Sequence, residues 1–462
     1  MANKPFPVPN STTSFWRSGD LHDLDSYQSE VFPSQVDVVI VGAGYAGASL
    51  AHHLLEKQRK LDSKLSIAIL EAREACSGAT GRNGGHLKPD PYSRAGSALR
   101  THDKKAAEEV VSFEFQHLKA IGDLVKRENI DCDFVLTRAT DVCLYDKARD
   151  EIKAKLDSLT TAGISAVDDV FYSSERTAEA VSGVKGARGA FSCTSAHLYP
   201  YKLISHLLAK AVAEGVNLQT HTPVTSVSSQ PDSEGLWTIE TPRGRIEAKN
   251  VIHGSNGYTS ALLPEFQDKI VPVRGICSRI FTPDARPPLL SNAYILRFSD
   301  WEYDYLIPRT DGSIVVGGAR RDYHHDLNSW FGSHDDSSLI ESASEYFDGY
   351  MQRHFHGWEE SGAKTDHVWT GIMGYTSDGY PFVGEVPRKP GQYICAGFNG
   401  HGMPQAFLSA RAVAAMVVEG RKPEETDLPM LYRSSHERLD SEKQHVSLTG
   451  YDAFMSDRQA RI

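Results

Sequence analysis

The sequence predicts an α/β protein: a Rossmann-like nucleotide-binding domain assembled from separated segments, with an α+β domain on a mainly antiparallel sheet inserted between them. Three observations predict this. An apolar run at 36–41 opens through a glycine-rich turn into a stretch with helical apolar spacing, then a second apolar run. Two later stretches, 271–281 and 292–318, are rich in β-branched and aromatic residues. The segments suited to binding a cofactor lie near the N-terminus, in the middle and near the C-terminus, so the nucleotide domain is discontinuous.

Residues 1–35 are polar, with scattered proline and serine, and read as an arm. Val36–Val41 is apolar almost throughout, as suits a strand buried on both faces of a parallel sheet. Ala48–Lys57 has helical spacing, and Leu65–Leu70 is a second buried strand ending at Glu71. Lys104–Arg127 and Asp146–Ala162 read as helices around strands in Asp133–Tyr145. Tyr201–Ala213 is a helix stopped by Gly215, followed by short strands in Val216–Val227, Trp237–Thr241 and Arg245–His253. Tyr303–Ile307 and Ser313–Val316 flank Thr310-Asp311-Gly312, a strong local hairpin signal. Ser338–Phe355 reads as helical, Tyr393–Ala396 as a strand, and a helix runs from about Pro404 to Val418. The resulting division is a nucleotide domain from 36–100, 190–270 and 365–440, a substrate domain from 101–189 and 271–364, and a tail from 441–462.

A chain of 462 residues exceeds one ordinary core, so two or three lobes are expected. A net charge of -11 argues against nucleic acid, whose phosphates are bound mainly by Lys and Arg. No apolar run is long enough for a membrane helix, and no secretory leader pattern precedes Val36. The six cysteines lack any Cys-x-x-Cys pair and read as free thiols in a reducing compartment. A cytoplasmic location follows, or a peroxisomal one if Ala460-Arg461-Ile462 acts as a Ser-Lys-Leu-type address; an accidental polar tail is the alternative. His52-His53, His324-His325 and His354-Phe355-His356 come without convergent carboxylate or cysteine spacing, so no metal is expected.

Gly42-Ala43-Gly44-Tyr45-Ala46-Gly47 is G-x-G-x-x-G directly after a buried strand and opening a helix, the context a dinucleotide fingerprint requires. Gly42 permits the tight turn, Gly44 lets a pyrophosphate approach the backbone, and Gly47 lets helix and strand pack closely. The helix N-terminus offers unpaired N–H groups and a partial positive charge. Glu71, 24 positions after Gly47, can accept from ribose hydroxyls and would repel a 2′-phosphate, favouring FAD or NAD over NADP. The loop beginning Glu71-Ala72-Arg73 and running through Thr80-Gly81-Arg82-Asn83-Gly84-Gly85-His86 is long and glycine-dense; it can line a second extended part of a cofactor, which a nicotinamide dehydrogenase does not need.

Val38–His86 resembles the N-terminal signature of the D-amino-acid-oxidase-like FAD family, closest to the fungal and bacterial branch that includes gamma-glutamylputrescine oxidase-like proteins. The resemblance recurs in Ser14-Phe15-Trp16-Arg17-Ser18, Pro272-Val273-Arg274-Gly275, Tyr305-Leu306-Ile307-Pro308-Arg309, Asp378-Gly379-Tyr380-Pro381 and Ala396-Gly397-Phe398-Asn399-Gly400-His401-Gly402-Met403. It implies a Rossmann-like FAD-binding domain of the glutathione-reductase-like nucleotide fold. It places the Thr80–His86 loop along the phosphate-to-flavin stretch, the Val224 backbone at adenine, and Gly397, Asn399, Gly400, His401, Gly402 and Met403 beside the flavin ring. There N–H groups and a helix N-terminus would stabilise negative charge on the reduced ring. Relatives that tether flavin use a cysteine where this chain aligns Gly371, or a histidine where it aligns Arg82, so FAD is expected to be non-covalent; His86 is the other histidine in reach.

The implied reaction is oxidation of a C–N bond in a small amine or amino acid by hydride transfer to flavin N5. The imine would be hydrolysed and the flavin reoxidised by molecular oxygen to hydrogen peroxide. His401 is a candidate polar group or base at the ring. Arg309, Arg320 and Arg297 are candidate anchors for an anionic substrate, and Tyr303 and Tyr305 candidate hydroxyls or aromatic wall. Sarcosine-oxidase-like members carry an oxygen-activating lysine in the strand matching Ser313–Gly318, where this chain has Val315 and Val316. A dehydrogenase or tailoring oxidoreductase on a cyclic secondary amine is therefore one alternative, and a non-catalytic flavin-binding protein another.

Overall fold

The computed structural model describes residues 4–60, 64–283, 288–299 and 301–460, with the side chains of 457–460 excepted. Arg461, Ile462 and the Ala460 side chain, read above as an address, lie outside the described residues.

Five strands form a parallel sheet. Numbered by their order in the chain they are Gln35–Val41, Ile67–Leu70, Asn217–Gln219, Gly244–His253 and Gln392–Ala396, and they lie side by side in the order 5-4-1-2-3. Buried on both faces, these runs are apolar almost throughout; all four residues of Ile67–Leu70 are buried. Phe382–Glu385 joins one side antiparallel to Gln392–Ala396, and Trp237–Thr241 folds back antiparallel on Gly244–His253. The helix Tyr45–Gln58 packs against Ala406–Glu419 and Pro200–Ala213.

A second sheet runs in the order Lys364–Thr376, Ile270–Phe281, Ile314–Gly317, Tyr303–Pro308, Ala293–Arg297, Val135–Cys143, Gly189–His197 and His86–Leu87. Its pairs are antiparallel except Ala293–Arg297 with Val135–Cys143. The hairpin between Tyr303–Pro308 and Ile314–Gly317 forms as the Asp-Gly signal predicts: Gly312 takes φ +82°, and Arg309 N–H donates to Ser313 O at 2.8 Å. The helix Lys104–Glu128 is capped by Asp103, whose carboxylate accepts from Ala106 N.

Two readings are corrected. Ser338–Phe355 is not one helix: a short 3₁₀ turn, Glu341–Ala343, and the helix Tyr350–His354 are separated at Gly349, which sits at φ +66°. His52 and His53 do converge with a carboxylate, because Glu56 lies one turn on from both. His52 Nε2 is 3.5 Å and His53 Nδ1 3.2 Å from it. Arg127 stands 4.0 Å from the same carboxylate, so the cluster already holds a cation beside its one acid. The six cysteines are free and buried. Among the described residues no helix is long and apolar enough to cross a membrane.

Asp304, on the second sheet, is buried, with Ala319 N–H at 2.8 Å and Tyr346 OH at 2.6 Å. Burial pushes its carboxyl up to about 6. The folded protein therefore holds this proton more tightly than the unfolded chain. Stability from this group is present below pH 4 and is lost as pH rises towards 6. Asp304→Asn, which keeps an acceptor for Ala319 and a donor for Tyr346, should remove that slope and raise stability at pH 8 by about 2–3 kcal/mol. Urea unfolding at pH 4.5 and pH 8 would show it; equal pH slopes in both proteins would refute it.

Candidate active site

The first strand ends at Val41, and Gly42 turns the chain at φ +103° against Gly254; an added Cβ would lie 3.1 Å from Gly254 O. The third glycine is needed for packing. A Cβ on Gly47 would lie 1.9 Å from Gly42 O, so helix and turn are in backbone contact. Thr80 Oγ1 accepts from Tyr45 N at 2.9 Å, binding the second glycine loop to the first helix turn. Glu71 accepts from Ala43 N at 2.8 Å and Arg73 N at 3.0 Å, so its carboxylate is fixed at the mouth of the two strands.

The carboxyl ends of the parallel strands open into a cavity of ≈ 530 Å³, shared with the second sheet. That falls within the roughly 300–1,000 Å³ of small-molecule and cofactor sites. Gly42, Gly44, Tyr45, Ala46, Glu71, Ala72, Arg73 and Val224 line the side given by the parallel sheet; Thr80, Arg82, Asn83, Gly84 and His86 continue the wall. Tyr303, Tyr305, Arg320 and Tyr375 face it from the second sheet and the loop after it, and Gly400, His401, Gly402 and Met403 close it. The structure thus brings three distant glycine loops to one cavity.

Other predicted residues stand behind this wall. Ala43, Gly47, Gly81, Gly85, Gly397 and Asn399 are not part of the lining. Gly81 has no room for a Cβ, which would lie 2.2 Å from Cys76 O. Gly85 N donates to Asn83 Oδ1 at 2.7 Å. Asn399 sits at φ +55°, where its carboxamide ties Thr376 N (2.7 Å) to Gly397 O (2.8 Å) and so shapes the third loop. Arg309 also lies outside the cavity lining. It follows the end of its strand, its guanidinium packs over Phe15, Trp16 and Tyr199 at 4.8–5.1 Å, and it pairs with Asp133 at 3.2 Å.

The arginines of the second loop are occupied by protein. Arg73 forms a bidentate pair with buried Asp336 at 2.8 and 3.0 Å and donates to Val8 O. Arg82 donates to Ser77 O and Thr370 O, each at 2.7 Å, and stands 3.5 Å from Asp336. Thr12 N donates to Asp336 O at 2.7 Å, so the N-terminal arm is fastened across both loops.

Charges in the cavity are unequally matched. Arg297 pairs with Asp141 at 2.8 Å, and Lys88 stands 3.5 Å from the same carboxylate, which Tyr92 OH also meets. Arg320 differs. Its guanidinium lies 4.6 Å over the Tyr303 ring and donates to Tyr375 OH at 3.3 Å, and no carboxylate among the described residues pairs with it. His86 is half-buried, edge-on to the Tyr305 ring; desolvation, with His197 and Lys88 nearby, brings its imidazole down to about 3, so it is neutral.

Several lining residues were not read from the sequence: Lys88, Asp90, Ser255, Asn256, Tyr258, Tyr323, Met373 and Tyr375. Gly254-Ser255-Asn256 had a signal, since it follows a parallel strand, where ligands of such sheets bind. Asn256 Oδ1 accepts from Gly397 N (3.0 Å) and Phe398 N (3.3 Å), joining that strand end to the third loop.

These residues fit a dinucleotide carrying a ring system. The N-cap of the first helix is Gly44, which brings no capping side chain of its own, and Ser77 Oγ, His86 Nε2 and Tyr258 OH are buried on the wall without partners. Comparison with known proteins agrees. The family model described as FAD dependent oxidoreductase (DAO) matches residues 37–416. The gamma-glutamylputrescine oxidoreductase of Escherichia coli K12 is 23% identical over 386 residues, covering 82% of this chain and 83% of its own. The crystal structure of glycine oxidase from Geobacillus kaustophilus superposes with a TM-score of 0.66 at 20% identity, covering 84% of this chain and 96% of that one. L-Proline dehydrogenase from P. horikoshii gives 0.65 at 18% identity, covering 85% and 95%.

Proposed function

Because this chain belongs to the DAO family of FAD dependent oxidoreductases, we propose that it oxidises the C–N bond of an amine that also carries a carboxylate, an amino acid or N-substituted amino acid. The protein is an FAD enzyme acting on amines or amino acids. Bound FAD supplies the two-electron acceptor. The observation that carries the carboxylate is Arg320. A half-buried guanidinium facing the chamber with only phenol groups around it is costly unless an anion completes it, and a carboxylate matches its planar fork.

The remaining roles follow from placement. Tyr303, Tyr305, Tyr323 and Tyr375 wall the chamber around Arg320 and keep it dry. His401 offers a ring nitrogen to the substrate's amine. Arg309, stacked and paired elsewhere, braces the arm. Non-covalent attachment is supported at Gly371, where any side chain would start 2.9 Å from Arg82 Cβ, and at Arg82, whose guanidinium is fully engaged.

An anaerobic screen of paired amino acids and their decarboxylated amines, watching the yellow flavin band, tests this reading. Bleaching by amino acids but not by the matching amines is expected. Bleaching by the amines alone refutes the carboxylate, and no bleaching by any of them leaves a flavin-binding protein without turnover. Whether oxygen reoxidises the enzyme is separate. Ile314–Gly317 offers only fully buried Val315 and Val316 where sarcosine-oxidase-like members carry a lysine, which favours a dehydrogenase. Peroxide formed in air, set against reduction of an acceptor dye, distinguishes the two.

A further inference from the structure

Glu114 is a fully buried carboxylate on the helix Lys104–Glu128, among Val110, Val111, Phe113 and Leu118. Such a group is expensive unless every acceptor site is filled. Here it is surrounded by donors: Asp90 N at 2.7 Å, Gln405 Nε2 at 2.7 Å and His401 Nε2 at 2.9 Å, with Arg94 Nε at 3.9 Å. Burial alone would push its carboxyl up, but His401 and Arg94 outweigh it and hold the group below its ordinary value. An ionised carboxylate only accepts hydrogen bonds, so the proton facing it must sit on Nε2 of His401. No hydrogen bond is formed to His401 Nδ1 among the described residues, and His401 lines the chamber that holds Arg320.

We propose that Glu114 is a positioning residue. It fixes the His401 ring with Nε2–H turned inward, so that Nδ1 is the nitrogen offered to the substrate's amine. A substrate ammonium then passes one proton to the Nδ1 lone pair and becomes the neutral amine that C–N oxidation requires. The imidazolium formed is held by the Glu114 carboxylate. Anchor and acceptor come from different parts of the fold: Arg320 follows the second sheet, whereas His401 belongs to the third glycine loop and is aimed by a helix 287 residues away in sequence. The inference rests on the amine-oxidising reading above.

The test uses FAD-loaded wild type, Glu114→Gln, Glu114→Leu and His401→Asn. Nitrogen NMR of histidine-labelled wild type, with His401 assigned by its loss in His401→Asn, should show a protonated Nε2 and a lone pair on Nδ1. Glu114→Leu should lose that preference. Anaerobic flavin reduction by an active amino acid should slow by about 10²-fold in Glu114→Leu with substrate Kd changed less than about threefold, since only proton transfer is removed. Adding Glu114→Leu to His401→Asn should slow it no further. A wild-type ring protonated on Nδ1, or full-rate reduction in a folded, flavin-replete Glu114→Leu, overturns the proposal. If the Glu114 variants do not fold, the wild-type tautomer still decides. If no amine reduces the flavin, the functional reading fails, whereas the tautomer reports on Glu114 independently.

Discussion

Arg320→Met is expected to weaken binding of carboxylate-bearing ligands by about 10²–10³-fold, with FAD content unchanged. Truncating one member of a buried, hydrogen-bonded charge pair costs about 2–5 kcal/mol, and each factor of ten in Kd is about 1.4 kcal/mol. The free protein supplies no carboxylate to this guanidinium among the described residues; it rests on Tyr303 and donates to Tyr375. Methionine keeps the length and apolar contact of the stem, so the loss reports on the charge. Ligand-induced shifts of the flavin spectrum measure it, with Arg309→Met as the comparison, because Arg309 stacks over Phe15 outside the chamber. Equal Kd values in Arg320→Met and wild type would remove the anchor and with it the case for an amino-acid substrate.

The second large effect is on stability. Asp336→Ala should cost about 3–5 kcal/mol, the range for removing one partner of a buried ion pair. Its carboxylate takes both prongs of Arg73 and faces Arg82, while its carbonyl takes Thr12 N–H. Without the carboxylate two buried guanidinium groups of the loop that lines the cofactor cavity lose their acid, while the main-chain bond from Thr12 N–H remains. The midpoint of chemical unfolding should fall, and FAD should leave at lower denaturant than the unfolding of the rest. Arg73→Met in the same chain should recover part of the loss, because the two residues are coupled. An unchanged midpoint in Asp336→Ala would show that these contacts contribute nothing net.

What could be read in advance was local. The Gly42–Gly47 turn, Glu71 at a strand end and the Asp-Gly hairpin each follow from residues within a few positions of one another. The family resemblance then ordered the distant blocks. What could not be read depends on side chains meeting across the fold. Arg309 and Arg320 look equivalent in sequence, yet one lies beyond the end of its strand under the arm and the other enters the chamber after Gly318. Glu114 lies on the apolar face of a helix with nothing nearby to mark it; only its meeting with His401 gives it a role. Ser338–Phe355 has helical spacing, but Gly349 adopts a left-handed conformation that breaks it.

The 5-4-1-2-3 strand order also governs how the chain is made. Gly244–His253 lies between the first strand and Gln392–Ala396; Trp237–Thr241 covers Gly244–Ala248 on that edge, and the remainder, Val251–His253, keeps bare N–H and C=O groups until the last parallel strand is synthesised. During that interval a nascent chain presents a sticky apolar ribbon, and chaperone capture or pairing with a neighbouring chain competes with completion. Slower maturation and more inclusion bodies on rapid overexpression than at a low synthesis rate are the expected result.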